Sequence, residues 1–270
     1  MPIIYSENRE NRQIQEQRNY KVIKHNSLIQ KSRHNLSAQE QKIIFYLVSK
    51  IKPEDTELRL YEFRIREFCQ ICGIDKTSGK NYAQLKNALK TLADKSFWIK
   101  ISDTEETIVR WVERPYINTK SGTIKIKIDE YMRPYLLELK EHFTKYDLYY
   151  TLAMKSKYSL RFYELLKSYE NIGKWEFDFE ELKKILFAEK YRLFYDFRRR
   201  VLDQAMRDIN NYGDIFVNYE AFKKGGTDYG IIFKIKLKRD LDDRLETMKK
   251  IEKKLNPKQV PRQVKDMPLP

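Results

Sequence analysis

The pattern that most restricts this chain is one that occurs twice. Residues 36 to 128 read as helix, strand, short helix, long helix and then β-rich runs, and residues 157 to 237 give the same order again. A period of roughly a hundred residues is too long for a solenoid unit, so the repeat reads as two copies of one domain. At 270 residues the chain is long enough for both, each with its own core.

In the first copy, Ser37 and Glu40 form a capping box with Leu36 ahead of it as a staple. The helix that follows runs to about Ile51, with Ile43, Ile44, Leu47, Val48 and Ile51 on its core face, and stops before Pro53. Leu58 to Phe63 alternates as a strand, Ile65 to Cys72 is a short helix with Gly73 as its left-handed cap, and Asp75 to Gly79 is a turn. A longer helix spans about Lys80 to Lys95. Its inner face is Tyr82, Leu85, Ala88, Leu89 and Leu92; its outer face is Lys80, Gln84, Asn87, Lys90 and Thr91. Three β-rich runs follow at Phe97 to Ser102, Thr107 to Val112 and Thr123 to Ile128. A helix from Tyr131 to His142 then bridges to a boundary at Thr144 to Tyr146.

The second copy has a helix at Lys157 to Glu170, a strand at Trp175 to Phe179, a short helix at Glu180 to Phe187 and a long helix at Tyr191 to Asn211. Strands at Ile215 to Ala221 and Gly230 to Leu237 surround the turn Lys223 to Asp228. A helix-turn-helix followed by a hairpin is a winged helix, so the expected fold is α+β with two tandem winged-helix domains. The expected wing of the first is the hairpin tipped by Asp103 to Glu106, with a later loop at Lys120 to Gly122. The domains span 21–143, which includes the linker helix, and 144–239. A flexible polar arm (1–20), disordered or loosely helical, precedes them, and a charged helix (Asp240 to Leu255) and a disordered tail (Asn256 to Pro270) follow, together 240–270.

Lys plus Arg exceed Asp plus Glu by 54 to 39, a formal +15, which points to a polyanionic partner, nucleic acid before membrane. The N-terminus lacks the apolar segment of a signal peptide and no apolar run reaches 18 residues, so the expectation is a cytoplasmic protein with no membrane partner. Cys69 and Cys72, the two cysteines, lie inside a short helix and read as packing residues rather than a redox pair or zinc ligands. Gly73 to Asn81 approaches a phosphate loop but has one residue too many between its glycines, and Asn81 stands where Ser or Thr should bind magnesium. His25, His34 and His142 are scattered, without the pair that a metal-dependent DNA-nicking enzyme needs. Asp240, Asp242 and Asp243 sit at a helix start, where acids favour the dipole. No catalytic residues, metal or cofactor are expected.

On the helix from Tyr191 to Asn211, Phe194, Phe197, Val201, Ala205 and Ile209 fall on one stripe, with Arg199, Arg200, Asp203 and Arg207 opposite. Guanidinium forks match guanine O6/N7 and phosphate oxygens, so this face suits major-groove reading. It also suits a solvated surface balanced by Asp196, Asp203 and Asp208. The aromatic residues at helical spacing, such as Phe45, Tyr46, Phe162 and Tyr163, read as core rather than base-stacking platforms.

Four stretches carry a family resemblance: Tyr20 to Ile29 (YKVIKHNSLI), Leu36 to Ile43 (LSAQEQKI), Lys157 to Lys167 (KYSLRFYELLK) and Phe197 to Asn210 (FRRRVLDQAMRDIN). The last two are the most specific. Together the stretches resemble theta-type plasmid replication initiators of the Rep_3 superfamily over about residues 20 to 238. The resemblance implies two winged-helix domains without a catalytic site, binding double-stranded DNA. Monomers bind direct repeats (iterons) at an origin, and dimers, formed mainly through the first domain, bind an inverted repeat and repress the initiator's own gene. It implies host initiator and helicase-loading proteins as partners. Carried over by position, Arg199, Arg200 and Arg207 contact bases or phosphates in the second domain, and Lys80, Gln84 and Asn87 do so in the first. Lys90, Thr91, Arg198 and the wing pair Lys223 and Lys224 complete the expected DNA-binding set. The polar N-terminal arm and the long charged C-terminal extension depart from the better-known members.

Overall fold

The computed structural model describes residues 11–52, 54–74, 79–100, 102, 104–137, 139–225 and 228–256. Helix α1, residues 11–18, buries Ile14 and Arg18. The Arg18 guanidinium donates to the carbonyl oxygens of Gln70 (2.9 Å) and Ile71 (3.1 Å). The arm, expected as disordered or loosely helical through residue 20, is helical and docked from residue 11, with residues 1–10 outside the described range. It docks largely by polar contacts of Gln17 and Arg18, with Ile14 as its one buried apolar side chain, which leaves no hydrophobic period to read.

Strand β1 (Lys21–His25) leads into α2 (Asn26–Gln30) and α3 (Ala38–Val48). The capping box of α3 is formed: Ser37 accepts from Glu40 N at 3.3 Å, and Ser37 N donates to the Glu40 carboxylate at 2.6 Å. Then come β2 (Leu60–Arg64), α4 (Ile65–Ile71), α5 (Gly79–Asp94), β3 (Ser96–Lys100), β4 (Glu106–Arg110), β5 (Tyr116–Asn118) and β6 (Thr123–Lys127). Gly73 caps α4 at φ 63°, as its place after the helix requires. Of the expected turn at Asp75 to Gly79, residues 75–78 lie outside the described range, and with them the middle of the loop that resembled a phosphate loop; so does Asp103 of the hairpin tip.

Two expectations for this half fail. Strand β2 pairs with β6 (Phe63 opposite Ile124), and β6 pairs with β5, giving the sheet β2-β6-β5, while β3 and β4 pair only with each other. The wing is thus the β5–β6 hairpin around Thr119 to Gly122, not the one tipped by Asp103 to Glu106. The helix expected from Tyr131 to His142 is only a 3-10 turn (Glu130–Met132) running into α6 (Arg133–Leu136). His142 adopts φ 54°, and Phe143–Asp147 forms strand β7. It lies antiparallel to β1, with Ile23 opposite Lys145, so the expected boundary is a sheet joining distant parts of the chain.

Helices α7 (Tyr149–Leu152) and α8 (Lys157–Lys167), strand β8 (Lys174–Asp178) and helix α9 (Phe179–Ile185) open the second half. The long helix starts at Phe194 rather than Tyr191 and is built in three parts: α10 (Phe194–Phe197), a π-type turn (Arg198–Leu202) and α11 (Asp203–Tyr212). Strands β9 (Ile215–Gly225) and β10 (Asp228–Leu237) complete the sheet β8-β10-β9, with residues 226–227 of the turn outside the described range. Helix α12 (Leu241–Leu255) follows, and of the disordered tail expected from Asn256, residues 257–270 lie outside the described residues.

Helices α3 and α8 pack on each other at the centre, with α5 outside α3 and α11 outside α8. Both central helices are buried almost all round, polar residues included. Each buried charge has a partner. Lys42 donates to the Leu152 carbonyl (2.5 Å), Arg161 to the Ser32 carbonyl (2.9 Å), and Lys24 to Glu164 (2.6 Å), which also accepts from the Tyr146 hydroxyl (2.6 Å). Burial pulls the Lys24 pKa down against the attraction of Glu164 and pushes the Tyr146 hydroxyl up.

Candidate nucleic-acid interface

Helix α11 and the π-type turn ahead of it bury Phe197, Val201, Leu202, Ala205 and Ile209 against the second core and leave Arg198, Arg199, Arg200 and Arg207 exposed. The apolar stripe read from the sequence is the packed one, and Phe194 at its start is half-buried, stacked on Tyr229. π-type turns recur at functional sites because they alter which side chains share a face. Here the turn coincides with the three consecutive arginines.

Partners differ along this face. Arg198 Nε donates to the Tyr219 hydroxyl (3.1 Å), which in turn donates to Asp203 (2.5 Å), so Arg198 is tied to strand β9. The hydrogen bond to Tyr219 and then the nearby Asp203 hold the Arg198 pKa above its ordinary value. Arg199 lies over the Tyr195 ring at 5.7 Å, and Arg207 donates to Gln204 (3.0 Å). Arg200 shares a shallow groove with Lys190, Arg192 and Asp196. Lys190 and Arg192 are exposed just ahead of α10, candidates that a helix begun at Tyr191 does not bring out. At the far end of β9 both Lys223 and Lys224 are exposed, and Lys224 pairs with Glu176 at 3.1 Å.

On α5, Gln84, Asn87 and Lys90 are exposed, and so is Lys86, which had not been singled out. Lys90 pairs with Asp94 one turn on (3.0 Å). Thr91 does not face outward: its hydroxyl donates to Glu40 (2.7 Å), the carboxylate that Lys95 also holds at 2.6 Å. These bonds, with Ser37, keep the Glu40 carboxyl below its usual pKa although burial opposes them. The side chain of Lys80 lies outside the described residues. Lys120, at the tip of the true first wing, is exposed. Only strand pairing reveals it as the counterpart of Lys223 and Lys224.

Among the described residues no group of three or more His, Cys, Asp or Glu side chains is placed to hold a metal ion, and no helix is long and apolar enough to cross a membrane. Asp240 caps α12, accepting from Asp242 N (2.8 Å) and Asp243 N (3.4 Å). Cys69 and Cys72 are buried and not joined by a disulfide, and burial pushes the Cys72 thiol up to about 12.

Two exposed polar or basic helices, each following a short helix and each accompanied by a three-stranded sheet with a projecting hairpin, are the parts of a double DNA-binding module. A family model described as initiator replication protein, WH1, matches residues 21–167, and one described as initiator Rep protein, WH2, matches residues 178–235. The first match runs through α8, the helix that the repeated order assigns to the second half. Matched over most of its length and in this order, the chain belongs to the Rep3 family of plasmid replication initiators, proteins that bind double-stranded DNA at the origin.

Proposed function

We propose that this initiator recognises directly repeated sequences at its origin with α5 and with the arginine run between α10 and α11 together with Arg207, and that it represses its own promoter through an inverted repeat. The observation that carries this reading is the exposed set Arg199, Arg200 and Arg207 on a helix whose opposite side is fully packed. A rigid helix presenting guanidinium forks suits base edges, and a second module about one helical turn away suits a long or repeated site. Monomers engage the direct repeats and dimers the inverted one. Host initiator and helicase-loading proteins are then recruited to the opened origin, all in the cytoplasm.

A footprint of the purified chain on its own upstream DNA tests the binding. Protection should fall on a set of direct repeats and on a related inverted repeat, and protection spread evenly along the DNA would remove the reading. A segment bearing the direct repeats should replicate when the protein is supplied in trans. Binding and repression without replication would identify a winged-helix repressor instead.

A further inference from the structure

Helix α12 lies beyond residue 235, where the second family match ends, and it runs between the two DNA-facing halves. It packs along α11. At its far end Leu255 sits against Gly73, the turn between α4 and α5, where even a Cβ on the glycine would come within 2.6 Å of Leu255 Cδ2. Glu252 accepts from the Tyr149 hydroxyl (3.0 Å) and pairs with Arg18 (3.6 Å). The helix therefore spans from the second long helix to the helix-turn-helix corner of the first domain, with Thr247, Ile251 and Leu255 as its buried edge.

The exposed surface of its C-terminal half is basic, with Lys249, Lys250, Lys253 and Lys254, while the acids Asp242, Asp243 and Glu246 lie in its first half. Lys250 pairs with Glu246 (2.7 Å), while among the described residues the other three have no ion-pair partner. Lysines in a last turn favour the helix dipole, which accounts for Lys253 and Lys254. The dipole does not account for Lys155, an exposed lysine on a different segment. Lys155 and Lys254 line one concave notch with Ser156, Gln204 and Asp208. Asp208 is already engaged by Ser159 (2.6 Å) and Gln204 (3.0 Å), and Gln204 in turn holds Arg207 (3.0 Å), so the notch continues directly into the arginine face.

We propose that α12 and Lys155 form a phosphate-contacting track that seats the duplex backbone between the two recognition helices. This rests on the duplex reading above and adds to it an element that the family matches do not cover. Two modules reading successive major-groove segments leave an intervening stretch of backbone, and the basic end of α12 with Lys155, adjoining the arginine face through Gln204, is placed to meet it. Such contacts fix register and add affinity without reading sequence.

The test is the double replacement Lys155→Gln/Lys254→Gln in the full chain, compared with Lys140→Gln/Lys145→Gln at two other exposed lysines. Each variant is first shown to melt like the parent. The salt dependence of affinity for cognate and scrambled duplex should lose about 1.8 from its log-log slope in the first variant, about 0.9 per lost contact, and none in the second. Phosphate-ethylation interference between the two protected blocks should vanish only in the first. An unchanged slope and unchanged interference in Lys155→Gln/Lys254→Gln overturns the track while leaving the proposed function intact. Failure of the parent chain to bind any duplex overturns the function itself.

Discussion

The two halves share an element order, but after its long helix the second carries one hairpin and the first carries two. In the second half β9 and β10 join β8 directly, and the turn between them is the wing. In the first, the hairpin that follows α5 at once, β3–β4, stays out of the sheet, while the later β5–β6 pair joins β2. What defines a wing is which strand completes the sheet begun between the first two helices, not which hairpin comes next. The extra hairpin is used for packing instead: Phe97 stacks on Trp111 at 5.0 Å, and both rings meet the edge of His34. The two candidate recognition faces differ as well. The second is an arginine run with exposed guanidinium groups, whereas the first spends Thr91 and Lys95 on holding Glu40.

The largest test asks whether these unlike halves are energetically separate. Val201 is fully buried on the inner side of the arginine run, and an aspartate there places an unpaired charge in the core, a loss on the order of 5 kcal/mol. With α3 packed on α8, Val201→Asp should unfold both halves in one transition in denaturant titrations followed by tryptophan fluorescence. If Trp98 and Trp111 keep their native signal, the halves are independent. The seam gives the next largest effect. Lys24→Met leaves Glu164 charged and buried and should cost about 3–5 kcal/mol. Lys24→Met/Glu164→Met should recover all but about 1–2 kcal/mol, because Tyr146 still lacks its acceptor. If the double replacement is as damaging as the single one, the pair contributes more than mutual compensation.

Much of this frame was readable, for local reasons. The capping box at Ser37 and Glu40, the cap at Gly73 and the apolar stripe from Phe197 to Ile209 are written in adjacent or helically spaced residues. The wing of the first half was not, because Phe63 finds Ile124 across the chain and no local pattern favours that pairing over the nearer hairpin. Nor was β7: Leu136, Leu137 and Leu139 suggested a continuing helix, but Phe143 to Asp147 is a strand against β1. On the two long helices, outward spacing picked out Gln84, Asn87, Arg199, Arg200 and Arg207, all of which are exposed. It misjudged Thr91, whose hydroxyl bonds to a carboxylate on another helix.

Acid should separate the halves again, more gently. All three histidines precede residue 144. Burial, helped by Arg161 and Lys24, holds the His34 pKa well below 6.5. Its folded form stays neutral while the unfolded chain takes up a proton, so stability is present above pH 6.5 and is lost as pH falls towards the folded pKa. The slope for this one group is at most about 1.4 kcal/mol per pH unit. His25 is depressed too, by burial and then by His142 and Lys31, and adds to the same trend. His34→Gln should flatten the fall between pH 6.5 and 5.5 only by its own share, measured by denaturant midpoints across that window. Identical slopes for parent and variant would mean that His34 titrates normally in the fold.

The smallest effects decide which loop of the first half behaves like the wing of the second. If β5–β6 is the counterpart of β9–β10, then Lys120→Gln and Lys223→Gln should act alike, since a wing lysine that meets a phosphate contributes about 0.9 to the log-log salt slope whatever the sequence. Each should weaken cognate and scrambled duplex equally. Lys224→Gln should do less than Lys223→Gln, because Glu176 at 3.1 Å already neutralises part of its charge. Glu105→Gln, in the tip of the β3–β4 hairpin, should leave the slope alone, since that hairpin lies outside the three-stranded sheet and packs its inner rings on Trp111. A response at Glu105 with silence at Lys120 would reverse the assignment. The strand pairing would then describe the fold without describing how the first half meets DNA.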